Sequence, residues 1–256
     1  MPSTLAALES FRPYSATHAA VVLGFTAVTA LAVVIGRRCG TDRGRRFDRA
    51  LGWAVFAVWV VTQAYGFLPG QYDPSKVWPI QVCDVAGLVA PLVLWTGRRP
   101  LRAVLYFWGL GLSSQAFIQP DLNHGPAYVD FWTFWVAHAA VVGTAVYDLA
   151  ARGFRPAWRD YGTAVAALAV LIAIVLPLDI VTGYNYVYVG NSKPGQPTVV
   201  DLLGPWPGRL AWLALLVAVG LAVLVVPWEV ARRVVRRGGS DPTGGARAGR
   251  PPDLPE

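Results

Sequence analysis

The stretch THAAVVLGFTAVTALAVVIGRR, residues 17–38, decides how this chain is read. Thr17–Ile35 carries no charge and then runs into Arg37 and Arg38. At 1.5 Å per residue the block makes about 28 Å of helix, close to the thickness of a bilayer's hydrocarbon core. Only Arg12 precedes it and a dense arginine cluster follows, the reverse of the charge order in a secretory signal peptide. The block reads as a retained membrane helix. Working outward, comparable blocks fall at approximately 50–68, 79–96, 101–119, 128–150, 161–181 and 209–228. The third is the least regular, because Gln81, Cys83 and Asp84 lie in its first turns and Pro91 interrupts it. Proline is tolerated in a membrane helix where neighbours satisfy the freed carbonyl.

The whole composition agrees. Of 256 residues, 55% are hydrophobic and only 14% charged, with 11 Trp, 10 Tyr and 10 Phe, and the mean hydropathy is +0.44. So few charges cannot cover a soluble domain, which excludes an ordinary cytosolic enzyme and a disordered chain. The net charge of +7 comes from basic residues set between apolar blocks. They form no aromatic-interleaved patch, so no nucleic-acid partner is expected. The fold class predicted is an all-α membrane protein, a seven-transmembrane-helix bundle over 17–230. An outer segment 1–16 precedes it and a basic tail 231–256 follows, whose end, GGSDPTGGARAGRPPDLPE (238–256), reads as disordered. No internal repeat of the inverted-transporter kind is visible.

Basic residues orient the bundle. The connections after the first, third and fifth blocks carry Arg37, Arg38, Arg43, Arg45, Arg46 and Arg49; then Arg98, Arg99 and Arg102; then Arg152, Arg155 and Arg159. Arg232, Arg233, Arg236 and Arg237 follow the seventh, whereas the alternate connections hold only Lys76, Lys193 and Arg209. The N-terminus is therefore expected outside and the C-terminus inside, in a multi-pass protein of a plasma membrane. The two lysines also exclude retinal, because no block carries a mid-helix lysine for a Schiff base. With two cysteines there is no disulfide framework, and neither a C-x-x-C pair nor an H-E-x-x-H helix points to a metal. No cofactor and no metal are expected.

Polar residues gather toward the outer ends of the blocks: Gln81, Cys83, Asp84, Gln115, Gln119, His124, His138, Asp179, Asn185 and Asp201 among them. Such residues are costly in an apolar helix and normally face a bundle interior or a wet cavity. Cys83 is either a small hydrophobe filling a gap or a thiol nucleophile, which needs a base to hold it as thiolate. The adjacent Asp84 alone opposes thiolate formation, so a histidine would have to be that base. His138 either bonds neighbouring helices or performs chemistry; counted from Pro79 and Asp130, it lies several ångströms deeper than Cys83, about 12 Å against 6 Å. Gln115 and Gln119, four apart, share one face of an α-helix, as interhelical glue or as an oxyanion donor. Asp84 and Asp179 are expected to be paired or wet. Tyr184, Tyr186, Tyr188 and Trp206 read as interface belt.

Several of these stretches resemble a known family. Trp78-Pro79-Ile80-Gln81-Val82-Cys83-Asp84, Tyr106–Leu110 running to Gln119-Pro120-Asp121, Phe131–His138, Asn185-Tyr186, Lys193-Pro194 and Asp201–Pro207 look like the YwaF-like bacterial integral membrane proteins. That family is similar to the eukaryotic transmembrane-protein-164 acyltransferases, seven-helix proteins that move fatty acyl chains between phospholipids. The resemblance implies a catalytic pair at Cys83 and His138, with membrane lipids as acyl donor and acceptor. Gln81 or Gln115 would donate to the oxyanion, and His124, Asn185, Tyr186 and Asp201 would shape the head-group site with Asp84 and Gln119. The family often carries histidine two residues before the cysteine. This chain has Gln81 there, so His138 alone has to serve as base. The contrasting expectation is a non-enzymatic carrier or binding protein for a small molecule or ion, with Asp84, Asp179 and the glutamines coordinating it. No oligomeric state is implied.

Overall fold

A computed structural model describes residues 8–192 and 198–238. Lys193-Pro194, the first seven residues and nearly all of the Gly/Pro-rich end lie outside the described residues. The fold is all-helical; among the described residues the sole β-pairing is an isolated bridge between Ser10 and His124. The helices are α1 (Ala16–Arg38), α2 (Thr41–Gly66), α3 (Val82–Thr96), α4 (Arg99–Tyr106), α5 (Val129–Ala150), α6 (Trp158–Thr182), α7 (Arg209–Val223) and α8 (Val226–Gly238). Each of the seven apolar blocks falls on one helical stretch. Four stretches are long and apolar enough to cross a bilayer: α1, α5, α6 and Arg209–Val235.

The departures from the sequence reading have local causes. The arginine cluster read as a loop is mostly the first turns of α2, which begins at Thr41 and pairs Asp42 with Arg45 at 2.6 Å. The fourth block is not one α-helix. After Tyr106 it winds as a π-helix through Phe107–Leu112 and as a 3₁₀-helix through Ser113–Phe117. The seventh breaks at Leu224-Val225, where Pro227 lacks the N–H that would bond the Val223 carbonyl. Residues 231–238, assigned to the tail, continue as α8. A register of Val226, Val230 and Val234 carries that helix.

The main core lies between α3, α4, α5 and α6, around Trp108, Phe107, Tyr147 and Phe154. A smaller cluster of Phe11, Phe131 and Trp135 ties the N-terminal segment and α1 to one end of α5. The opposite, arginine-rich end is clasped by ion pairs. Arg99 holds Asp160 at 2.6 Å, Arg102 holds Asp148 at 2.9 Å and Arg152 holds Asp48 at 2.6 Å. The Arg99 and Arg102 guanidiniums also lie over the Phe154 ring, at 5.4 and 4.9 Å from its centroid. The three aspartates belong to α6, α5 and α2, so the clasps fix the relative heights of these helices.

Candidate functional site

Gln81 caps α3, which makes Cys83 its second residue and Asp84 its third. The Asp84 carboxylate turns back on the cap. One oxygen accepts from the Gln81 backbone N–H at 3.3 Å; the other accepts from the Gln63 amide of α2 at 3.0 Å and from the Cys83 thiol at 3.9 Å. A carboxylate suits this place, because a helix N-terminus presents unpaired N–H groups and partial positive charge. Trp59, one turn along α2 from Gln63, donates Nε1 to the Asp84 carbonyl at 2.8 Å. It comes this close because residue 87 is glycine: a Cβ there would stand 2.7 Å from the indole Cδ1.

His138 of α5 lines the same cavity as Cys83, Asp84, Gln63, Thr62 and Trp59. The cavity is about 40 Å³, room for a few waters. His138 Nδ1 lies 2.8 Å from the Phe134 carbonyl. A carbonyl oxygen only accepts, so Nδ1 carries the proton and the neutral ring has its lone pair on Nε2, the nitrogen left for proton transfer.

The depth mismatch expected between these residues disappears when height is counted from the clasped end. Cys83 lies thirteen residues before Thr96 and His138 twelve before Ala150, or about 20 and 18 Å of helix. Helix α3 has 15 residues against 22 in α5. It therefore starts lower than its neighbour, and its polar first turn sits at the level of His138.

Other expected site residues are elsewhere. Gln115 and Gln119 are exposed, and neither lines the cavity. The π and 3₁₀ winding ends before Gln119, so the common α-helical face does not form; Gln119 Oε1 accepts from the Tyr14 hydroxyl at 3.1 Å. His124 Nδ1 pairs with Asp130 at 2.5 Å, stacks on Tyr128, and shares Asp130 with the Tyr65 hydroxyl. This group too lies outside the cavity lining. Asp201 is saturated rather than open. It accepts from Ser192 and Thr198 and pairs with the buried Arg209, which also donates to the Gly190 carbonyl at 2.8 Å. Tyr186 is fully buried instead of belonging to a belt: its hydroxyl donates to the Pro74 carbonyl at 2.8 Å and accepts from Trp78 N–H at 3.4 Å, and burial pushes its ionisation up. Asn185 keeps a buried Oδ1 without a hydrogen-bond partner, as does Asp179 at Oδ2.

Gln81 has a role its sequence position did not suggest. Its side-chain oxygen accepts from Val187 N–H at 2.8 Å, in a turn where Val187 (φ 55°) and Tyr188 (φ 62°) are both left-handed. Non-glycine residues in that region cost on the order of 1–3 kcal/mol each. Gln63 and Trp59 were missed as well. Gln63 had a legible signal as a lone amide within an apolar block.

Comparison with known families bears on this arrangement. The sequence model of the TMEM164 family matches residues 13–225. The chain belongs to the TMEM164 family. The matched region runs from just before α1 to just after α7, so the TMEM164 match includes Cys83, His138 and the turn at Val187-Tyr188 and leaves out α8. No curated protein and no solved structure matches the chain. As a TMEM164-family member with several apolar helices, it is a multi-pass membrane protein.

Proposed function

We propose that the protein is a membrane lipid acyltransferase in which Cys83 is the nucleophile and His138 the base. The observation that carries the reading is the shared cavity: Cys83 and His138 line it together, and His138 has Nδ1–H tied to Phe134. Nε2 takes the thiol proton as sulfur attacks the acyl ester. The ester C–O bond breaks, the leaving hydroxyl receives that proton, and the chain remains as a thioester on Cys83. An acceptor hydroxyl then loses its proton to His138 and attacks the thioester, and the C–S bond breaks to restore the thiol. The cavity suits the reacting ester group, and the acyl chain lies along the apolar outer faces of the helices. A larger apolar pocket of about 230 Å³, between Phe25, Thr29, Phe117 and Val142, is on the opposite face of α5 and so does not continue from Cys83. Membership in the TMEM164 family is compatible with this chemistry. We place seven spans in a bacterial plasma membrane, with the arginine-clasped end inside and the cavity nearer the outer leaflet.

The carrier reading has one observation in its favour, the unpartnered Oδ2 of buried Asp179. Against it, Asp84 is engaged by Gln63 and the α3 cap, and the two glutamines are away from the cavity. Incubation of the purified protein with mixed phospholipid vesicles separates the two. Mass spectrometry is expected to find a hydroxylamine-labile acyl group on Cys83 and loss of acyl transfer in Cys83→Ala. Full transfer by Cys83→Ala would overturn the assignment, and an unmodified Cys83 with every lipid favours the carrier.

A further inference from the structure

Acylation of a thiol passes through an oxyanion, which needs a hydrogen-bond donor, and the cavity holds one to spare. Neither Gln81 nor Gln115 lines it. Gln81 turns its side-chain oxygen to Val187 N–H, and Gln115 is exposed. The polar-capable side chains that do line it are Trp59, Thr62 and Gln63 of α2, Cys83 and Asp84 of α3, and His138 of α5. Most of their hydrogens are spent. Trp59 Nε1 donates to the Asp84 carbonyl at 2.8 Å, the Thr62 hydroxyl to the Val58 carbonyl at 2.9 Å, and His138 Nδ1 to the Phe134 carbonyl at 2.8 Å. Gln63 differs. A carboxylate only accepts, so the amide nitrogen faces Asp84 Oδ1, at 3.0 Å, through one of its two N–H groups. The second N–H has no acceptor among the described residues.

The amide is also beside the sulfur. Asp84 Oδ1 accepts from the Gln63 amide at 3.0 Å and from the Cys83 thiol at 3.9 Å, so a single oxygen separates the nitrogen from the sulfur. Gln63 stands on α2 and His138 on α5, so donor and base come from different helices. The backbone N–H of Cys83, second in α3, precedes the first intrahelical bond and is a further donor at the same residue.

We propose that Gln63 is a catalytic residue, its side-chain amide the hydrogen-bond donor to the oxyanion formed when Cys83 attacks an acyl ester. This rests on the acyltransferase reading above. As the thiol proton passes to His138 Nε2, the C–S bond forms and the carbonyl electron pair moves onto oxygen. The free N–H of Gln63 donates to that oxygen without giving up its proton, while the other N–H stays on Asp84 and keeps the amide from turning away. Collapse restores the carbonyl and breaks the ester C–O bond, and the leaving hydroxyl takes its proton from His138.

The test compares two reactions of the same sulfur in the full chain, reconstituted in phospholipid vesicles and read at the Cys83 peptide. Acylation passes through an oxyanion, whereas alkylation by iodoacetamide is a displacement at carbon with none. Gln63→Met removes both N–H groups at nearly the same side-chain length. Gln63→Glu is the sharper variant. Its carboxyl and that of Asp84 share one proton, as touching carboxylates do, which keeps the tie and the net charge but leaves no spare donor. Both variants are expected to slow acylation by about 10²–10³-fold and to alkylate at the wild-type rate. Wild-type acylation by Gln63→Glu would mean that the amide is only a tie between helices, and would overturn the proposal. So would a parallel change of both reactions in both variants, the mark of a structural role. If the wild-type chain alkylates but never acylates, the acyltransferase reading itself fails and this one falls with it. The wild-type lane alone tells that failure from the others.

Discussion

His138 shows how far a single side chain can be argued. Its position inside an apolar block marked it in the sequence, but either a packing bond or a chemical role fitted. The Nδ1–H to Phe134 bond decides the tautomer and the shared cavity decides the neighbour. Cys83 was legible for the same reason, as a polar-capable residue beside Asp84 near the start of a block. Gln63 carried a mark of its own, as a lone amide in an apolar block, but its pairing with Asp84, 21 residues away, leaves none. His138→Gln is therefore expected to lower Cys83 acylation by about 10²–10⁴-fold. It removes one local hydrogen bond worth about 1 kcal/mol, which the fold withstands. Thermal unfolding in detergent alongside the acylation rate checks both halves. Acylation at the wild-type rate would move the base elsewhere, with His124 the next to substitute.

At the scale of elements, the sequence reading placed helices well and misjudged how they wind and where they start. Apolar length cannot distinguish α from π winding, so Gln115 and Gln119 were given a common face that Phe107–Phe117 does not form. Helix α3 was assigned from Pro79, but the cap falls at Gln81, and the choice of end from which to count depth hid the match between Cys83 and His138. The contact of α2 with α3 is set by Gly87, across which Trp59 lies. Gly87→Ala gains about 1 kcal/mol in helix propensity and meets an overpacking cost of about 1–3 kcal/mol. The indole cannot slide freely without losing its bond to the Asp84 carbonyl. The net expectation is a loss of about 1 kcal/mol, a fall in Tm of a few degrees, with a shift in tryptophan emission as Trp59 is displaced into the cavity. An unchanged Tm and spectrum would show that the α2–α3 contact has slack.

For the whole molecule the arginines carry two kinds of information at once. Their distribution along the chain predicted which ends share a side of the membrane, and the structure shows many of the same residues as clasps: Arg99, Arg102 and Arg152 each hold an aspartate from another part of the bundle. Asp48 also holds Arg152 more firmly charged, outweighing the burial that opposes it. The clasps bear on the cavity from a distance: they tie α5 and α2 at one end, so that His138 and Gln63 arrive at the height of the short α3. The arginine distribution sets an expectation of sidedness and none of pairing, since nothing local tells Arg102 that its partner is Asp148. Sidedness itself is open to a direct probe, because the chain has only two cysteines and they lie at different heights in the bundle. Cys39 caps α1 at the arginine-rich end, next to Arg37 and Arg38, while Cys83 opens α3 at the level of the cavity. In a Cys83→Ser background, a membrane-impermeant thiol reagent added to intact cells is expected to leave Cys39 unlabelled, and to label it in inverted vesicles. Labelling from outside would turn the bundle over, put the clasps on the outer surface, and make the inner leaflet the source of any lipid that reaches Cys83.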